Sequence, residues 1–127
     1  MATIGYHCSH EQFAPGELLG YVRGAGAAGF GAAMCSDHLH PWLAEQGQSG
    51  YAWAWLGAAL QATALPFGVV TAPGQRYHPA VAAQAAATLA GMFPGRLWVA
   101  LGSGQLLNEH VTGGHWPAKA ERQARVK

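Results

Sequence analysis

The chain has 127 residues with seven Lys and Arg against six Asp and Glu, a net charge of +1. No cationic field of the kind that gathers a phosphate backbone is present, so nucleic acid is excluded as a partner. Half the residues are hydrophobic and a tenth are charged, which excludes a disordered chain and predicts one domain, residues 1–127, with a large buried fraction.

Short apolar runs begin near Thr3, Gly31, Leu65 and Leu97, a spacing of about 30 residues, the size of one strand–helix unit. The first strand is predicted over Ile4 to Cys8. A helix follows from Pro15, with Leu18, Val22 and Ala25 on one face and Phe13 pinning its entry. The second strand, from Gly31 to Cys35, runs into Ser36-Asp37-His38-Leu39-His40-Pro41-Trp42. An acid, two histidines and a tryptophan at the end of a buried strand mark an active-site rim.

A polar loop through Glu45, Gln46, Gln48 and Ser49 leads to a helix predicted over Tyr51 to Ala64, although Tyr51, Trp53 and Trp55 alternate as they would in a strand. That run is the most apolar in the chain, yet far short of the roughly 20 residues a membrane helix needs, and no signal-peptide pattern opens the sequence. No membrane partner is expected. The third strand, Phe67 to Val70, precedes a helix opening at Pro79 and ending near Met92 before Pro94-Gly95. The fourth strand, Leu97 to Leu101, turns through Gly102-Ser103-Gly104 into a short helix from Gln105 to His110. A last helix is predicted from Pro117 to the chain end.

Strands alternating with helices imply a parallel sheet with right-handed crossovers, either an open four-stranded sheet or half of a (β/α)8 barrel. The half barrel is favoured: an α/β chain of about four βα units. All seven histidines are expected at or beyond strand ends, His7 and His10, His38 and His40, His78, then His110 and His115, where such a sheet gathers its ligand-binding loops. Cys8 and Cys35 fall on separate strands without metal-type spacing and fit reduced core residues, hence a cytoplasmic setting.

Several segments then resemble one family: Ile4-Gly5-Tyr6, Ser9-His10-Glu11-Gln12-Phe13, the Ser36 to Trp42 stretch, Arg76-Tyr77-His78-Pro79-Ala80-Val81, Phe93-Pro94-Gly95-Arg96, Gly102-Ser103-Gly104-Gln105, Leu107-Asn108-Glu109 and Trp116-Pro117. In that order they are similar to the luciferase-like flavin or deazaflavin oxidoreductases and monooxygenases. The nearest branches are the deazaflavin-dependent glucose-6-phosphate dehydrogenases and a sister group of flavinoid oxidoreductases that do not use deazaflavin. The resemblance implies FMN or a deazaflavin as cofactor and a small-molecule substrate. It makes Asp37 a cofactor contact and His38 both a cofactor contact and an acid/base partner in hydride transfer, a task suited to imidazole. Trp42 becomes the aromatic that shields the reacting centre. Val69 and Val70 fall where the family often has a non-prolyl cis peptide behind the ring. Ser103, Gly104, Gln105 and Asn108 match the fourth-strand turn that binds the cofactor.

Two departures are visible. Gln105 stands where the sugar-phosphate branch has an acidic general acid, and an amide supplies no proton, which favours the sister group and an ordinary flavin; Glu11 and Glu109 are the nearby carboxylates that remain. The family's barrel also needs eight units, and its phosphate-clamping cations come from the half absent here. Strands one and four would each present an open edge, with Tyr6, Met34, Phe67 and Trp98 on an inner face lacking partners, so self-association is expected. Two other readings stay in view. A metal-dependent hydrolase would use Asp37, His38 and His40 as ligands, and a non-catalytic half-barrel fragment would associate without binding cofactor or metal.

Overall fold

The computed structural model describes residues 2–127. Four strands, β1 (Gly5–Cys8), β2 (Ala32–Ser36), β3 (Phe67–Thr71) and β4 (Leu97–Leu101), pair in parallel in the order β1-β2-β3-β4. The connecting helices are α1 (Pro15–Ala27), α2 (Ala52–Ala62) and α3 (Pro79–Met92), followed by the short α4 (Leu106–Glu109) and α5 (Lys119–Ala124). Because all strands point the same way, the loops leaving them collect at one end of the sheet.

Local chemistry explains the helix boundaries. α1 opens with Pro15 at its first position, and Glu17 accepts the Ala14 backbone N–H at 3.3 Å. Phe13 packs edge-on against Tyr21, ring centroids 5.1 Å apart, which fixes the chain's entry. α2 starts at Ala52 rather than Tyr51, and the strand-like alternation dissolves because Trp53, Trp55 and Leu56 are all buried within a helix. Beyond its end the Arg96 guanidinium donates to the carbonyls of Leu60, Thr63 and Leu65, at 3.0, 2.7 and 2.8 Å, satisfying acceptors the helix cannot. The last helix begins at Lys119 and stops at Ala124, shorter than the expected run from Pro117.

The core lies between the sheet and the three long helices: Cys8, Ala33, Cys35, Phe67 and Val69 from the strands meet Leu18, Val22, Trp55, Leu56, Ala59 and Leu60. Register decides which strand residues belong there. Tyr6 is level with Ala33, and Cys8 with Cys35, while Phe67 and Val69 align with Leu97 and Val99. The expectation that Tyr6 and Phe67 face inward is therefore overturned, since both lie on the helix-covered side; Met34 and Trp98 occupy the opposite face. The Trp98 indole lies across Gly68, so close that a Cβ there would stand 1.9 Å from it. Cys8 and Cys35 are fully buried free thiols, and burial pushes Cys8 up to about 12, which makes it unreactive.

Gly20 and Gly24 sit on exposed turns of α1 with open space where a Cβ would go. Alanine at both is expected to add about 1–2 kcal/mol of stability in urea denaturation; an unchanged midpoint would mean α1 is frayed in solution.

Candidate functional site

Loops from all four strand ends meet around two adjoining clefts. The narrow one, about 250 Å³, is walled by Asp37, His38, Val70, Thr71, Ala72, the Gly102–Gln105 turn, Asn108 and Glu109. The wide one, about 490 Å³, is walled by His7, Ser9, Glu11, Gln12, Met34, Ser36, His38, Trp42, Gln46, Val70 and Gln105. His38, Val70 and Gln105 belong to both and form the ridge between them.

His38 is held by an acid. Its Nδ1 lies 2.5 Å from Glu11 Oε1, and the same carboxylate accepts Ser36 Oγ at 2.6 Å and Ser9 Oγ at 2.8 Å. Burial alone would raise the Glu11 pKa, but the donors from His38 and Ser36, with Ser9, outweigh it and hold the group at about 2. Ionised Glu11 fixes the proton on Nδ1 and leaves Nε2 as the ring nitrogen not committed to the acid. The Trp42 indole, half exposed, stands edge-on to the imidazole at 5.3 Å.

Asp37 is buried, and its polar atoms are committed. Oδ2 accepts Thr71 Oγ1 at 2.8 Å, Oδ1 accepts the Tyr77 hydroxyl at 2.9 Å, and Arg76 Nη2 lies 3.2 Å from Oδ1 and donates to the Asp37 carbonyl at 2.7 Å. Burial beside that carboxylate pushes the Tyr77 hydroxyl well above its ordinary range, so it stays a donor. Arg76 also lies over the Tyr77 ring and gives its backbone N–H to Glu109 at 2.8 Å. This Arg76, Tyr77, Thr71 and Glu109 framework has no periodic signature in the sequence; the Arg-Tyr pair is visible there only as part of a motif.

Asn108 clamps one loop to another. Its Oδ1 accepts the backbone N–H groups of Leu39 and His40 at 2.8 and 3.0 Å, and its amide donates to Gln105 Oε1 at 3.3 Å. Ser103 and Gly104 line the narrow cleft. Gly104 has φ +77°, and a Cβ there would come within 3.0 Å of Glu109 Cγ, so only glycine lets the turn lie so close to the carboxyl. Val70 forms cleft wall, whereas Val69 is buried in the core and lines neither cleft. The expected cis peptide there is corrected: the described residues contain none. The strand simply continues in register through Val69 and Val70, paired with Val99 and Ala100.

The histidines divide. His10 is not at the rim: it is fully buried edge-on against Trp55, with neither ring nitrogen partnered among the described residues. His78 caps α3, accepting the Ala80 N–H at 3.2 Å. His38 and His40 diverge, the first bonded to Glu11 and the second stacked on His110 at 5.6 Å. Among the described residues no group of three His, Cys, Asp or Glu is arranged to hold a metal, which leaves the hydrolase reading without support.

With Val70 as apolar wall, the glycine-flanked turn beside it and the amides of Gln105 and Asn108, the narrow cleft offers both apolar and polar surface to a ligand. An F420-dependent glucose-6-phosphate dehydrogenase of Beutenbergia cavernae is 46% identical over 130 residues, which cover all of this chain and 38% of that protein. The enzyme of the same description from Mycobacterium avium is 44% identical over 98% of the chain and 38% of its own length. Among solved structures, an F420-dependent secondary alcohol dehydrogenase in complex with an F420-acetone adduct superposes with a TM-score of 0.94 at 44% identity, over 99% of this chain and 39% of that one. The chain thus spans under two fifths of these relatives' length, and its four βα units are part of a barrel. The model of the family described as luciferase-like monooxygenase matches residues 1–127, and the chain belongs to that family.

Proposed function

We propose that this chain supplies the cofactor-facing part of a deazaflavin-dependent oxidoreductase that moves a hydride to or from a small oxygen-bearing substrate. The observation that carries the reading is the narrow cleft itself, with the Glu11–His38 pair on the ridge beside it. The relatives' names favour a deazaflavin over FMN and hydride transfer over oxygen insertion. Bound there, a deazaflavin ring would supply the hydride acceptor or donor. In this reading Val70 supports one ring face, Ser103, Gly104 and Gln105 meet its polar edge, and Asp37 and Asn108 hold the loops in place. His38 Nε2 accepts or returns the substrate's proton while Trp42 keeps water from the reacting centre. Val69 acts only through the core beneath Val70.

The 127 residues are taken to work as one unit, in the cytoplasm. β1 and β4 each have an edge that no described strand pairs, and we propose that copies of the chain associate through them; a monomer in sedimentation at micromolar concentration would contradict this.

Titrating the chain into F420 and, separately, FMN while following cofactor fluorescence tests the main reading. Saturable quenching of F420, weaker for FMN and abolished by Gly104→Val, is expected. Absence of quenching, or quenching indifferent to Gly104→Val, would leave a non-catalytic fragment as the better description.

A further inference from the structure

Two of the carboxyls beside the clefts, Glu11 and Glu109, live in opposite surroundings. Glu11 is ionised and accepts from three side chains. Glu109, 2% exposed and lining the narrow cleft, has one engaged oxygen: Oε2 takes the Arg76 backbone N–H, while Oε1 lies 3.8 Å from Arg76 Nε, beyond hydrogen-bonding distance. Arg76 Nε has no partner among the described residues, and the same guanidinium serves Asp37 through Nη2. One cation thus stands between two buried carboxyls. If both are ionised, the triad carries one uncompensated negative charge beside the cleft.

We propose that Glu109 takes up a proton when a ring fills the narrow cleft and donates it as a hydrogen bond to an acceptor atom, a carbonyl oxygen or bare nitrogen, on that ring's edge. The identity of the ring rests on the proposed function; the behaviour of the carboxyl does not. A ring seated there removes the water that Oε1 can reach, and a lone anion shut away from water is far costlier than a neutral acid with an acceptor to meet. The groups facing Glu109 are Arg76 from the β3–α3 loop and Asp37 and His38 from the loop after β2, with His110 directly after α4, where that ring contacts the Leu106 carbonyl. Burial already pushes the Glu109 pKa up and Asp37 adds to the rise, against the Arg76 N–H and its charge.

Two measurements on the whole chain test this. In the cofactor-free protein, the carboxyl carbon of Glu109, identified by its loss in Glu109→Gln, should titrate above the ordinary glutamate range; titration at or below that range overturns the inference. F420 affinity is then followed against pH. Wild-type affinity should fall by up to about tenfold per pH unit above the free carboxyl's midpoint. Glu109→Gln should show no such fall, because its amide keeps an acceptor for the Arg76 N–H and offers a donor at every pH. A purely structural anchor would give both proteins the same pH profile, which overturns the proposal. No F420 binding by either protein at any pH overturns the proposed function and the ring contact with it, an outcome distinct from an ordinary carboxyl titration.

Discussion

Arg76→Met is expected to lower stability by about 3–5 kcal/mol, because it leaves two buried carboxyls without the cation between them. Arg76 is nearly buried, and its partners are more so: the Asp37 and Glu109 side chains are 1% and 2% exposed. Urea denaturation reads the loss. Arg76→Lys keeps the charge but cannot reproduce the guanidinium fork, and should fall between wild type and Arg76→Met. Equal stability of wild type and Arg76→Met would mean that the network is open to water in solution.

Glu11→Ala is the second large effect, about 2–4 kcal/mol, since Ser36, Ser9 and His38 then lose a shared acceptor. The same residue predicts an acid limb of stability. The folded-state pKa of Glu11 lies below its unfolded value, so its stabilisation is complete above the unfolded pKa near 4.5 and is lost as pH falls from there through about 2. His10 acts in a higher window. Burial lowers its folded pKa below 6.5, so the unfolded chain takes up the proton first and stability declines as pH drops below that value. Thermal unfolding from pH 8 to pH 2 should show two successive declines, the lower one missing in Glu11→Gln. A single decline that persists in Glu11→Gln would contradict the role given to this carboxylate.

The strand order was readable because each strand is a short apolar run ended by Gly, Pro or a polar cluster, and because a repeat of strand and helix admits few topologies. Facing was less readable. Tyr6 and Phe67 lie on the helix side, yet a strand in a parallel sheet reads as one hydrophobic run, so alternation does not fix its phase. Asp37, His38, Trp42, Val70, Ser103, Gly104, Gln105 and Asn108 do converge on the two clefts, because most lie in the loops that follow the strands, with Val70 near the end of β3 and Asn108 in α4 just beyond β4. What stayed hidden is the support beneath them. Thr71, Arg76 and Tyr77 reach Asp37 across 34 to 40 residues of sequence, and nothing in their own neighbourhoods announces the partner. His10 was misplaced for a related reason: a histidine after a strand looks solvent-facing until Trp55 and Gly50 are seen to close over it.

The central claim is that the loops after these four strands form a seat for a deazaflavin ring. Amide chemical-shift mapping of the labelled chain with F420 tests it most directly. Perturbations centred on Asp37 to Leu39, Val70 to Ala72 and Gly102 to Asn108 are the predicted result. Shifts clustered at the opposite end of the sheet, or on the helix faces away from these loops, would contradict it.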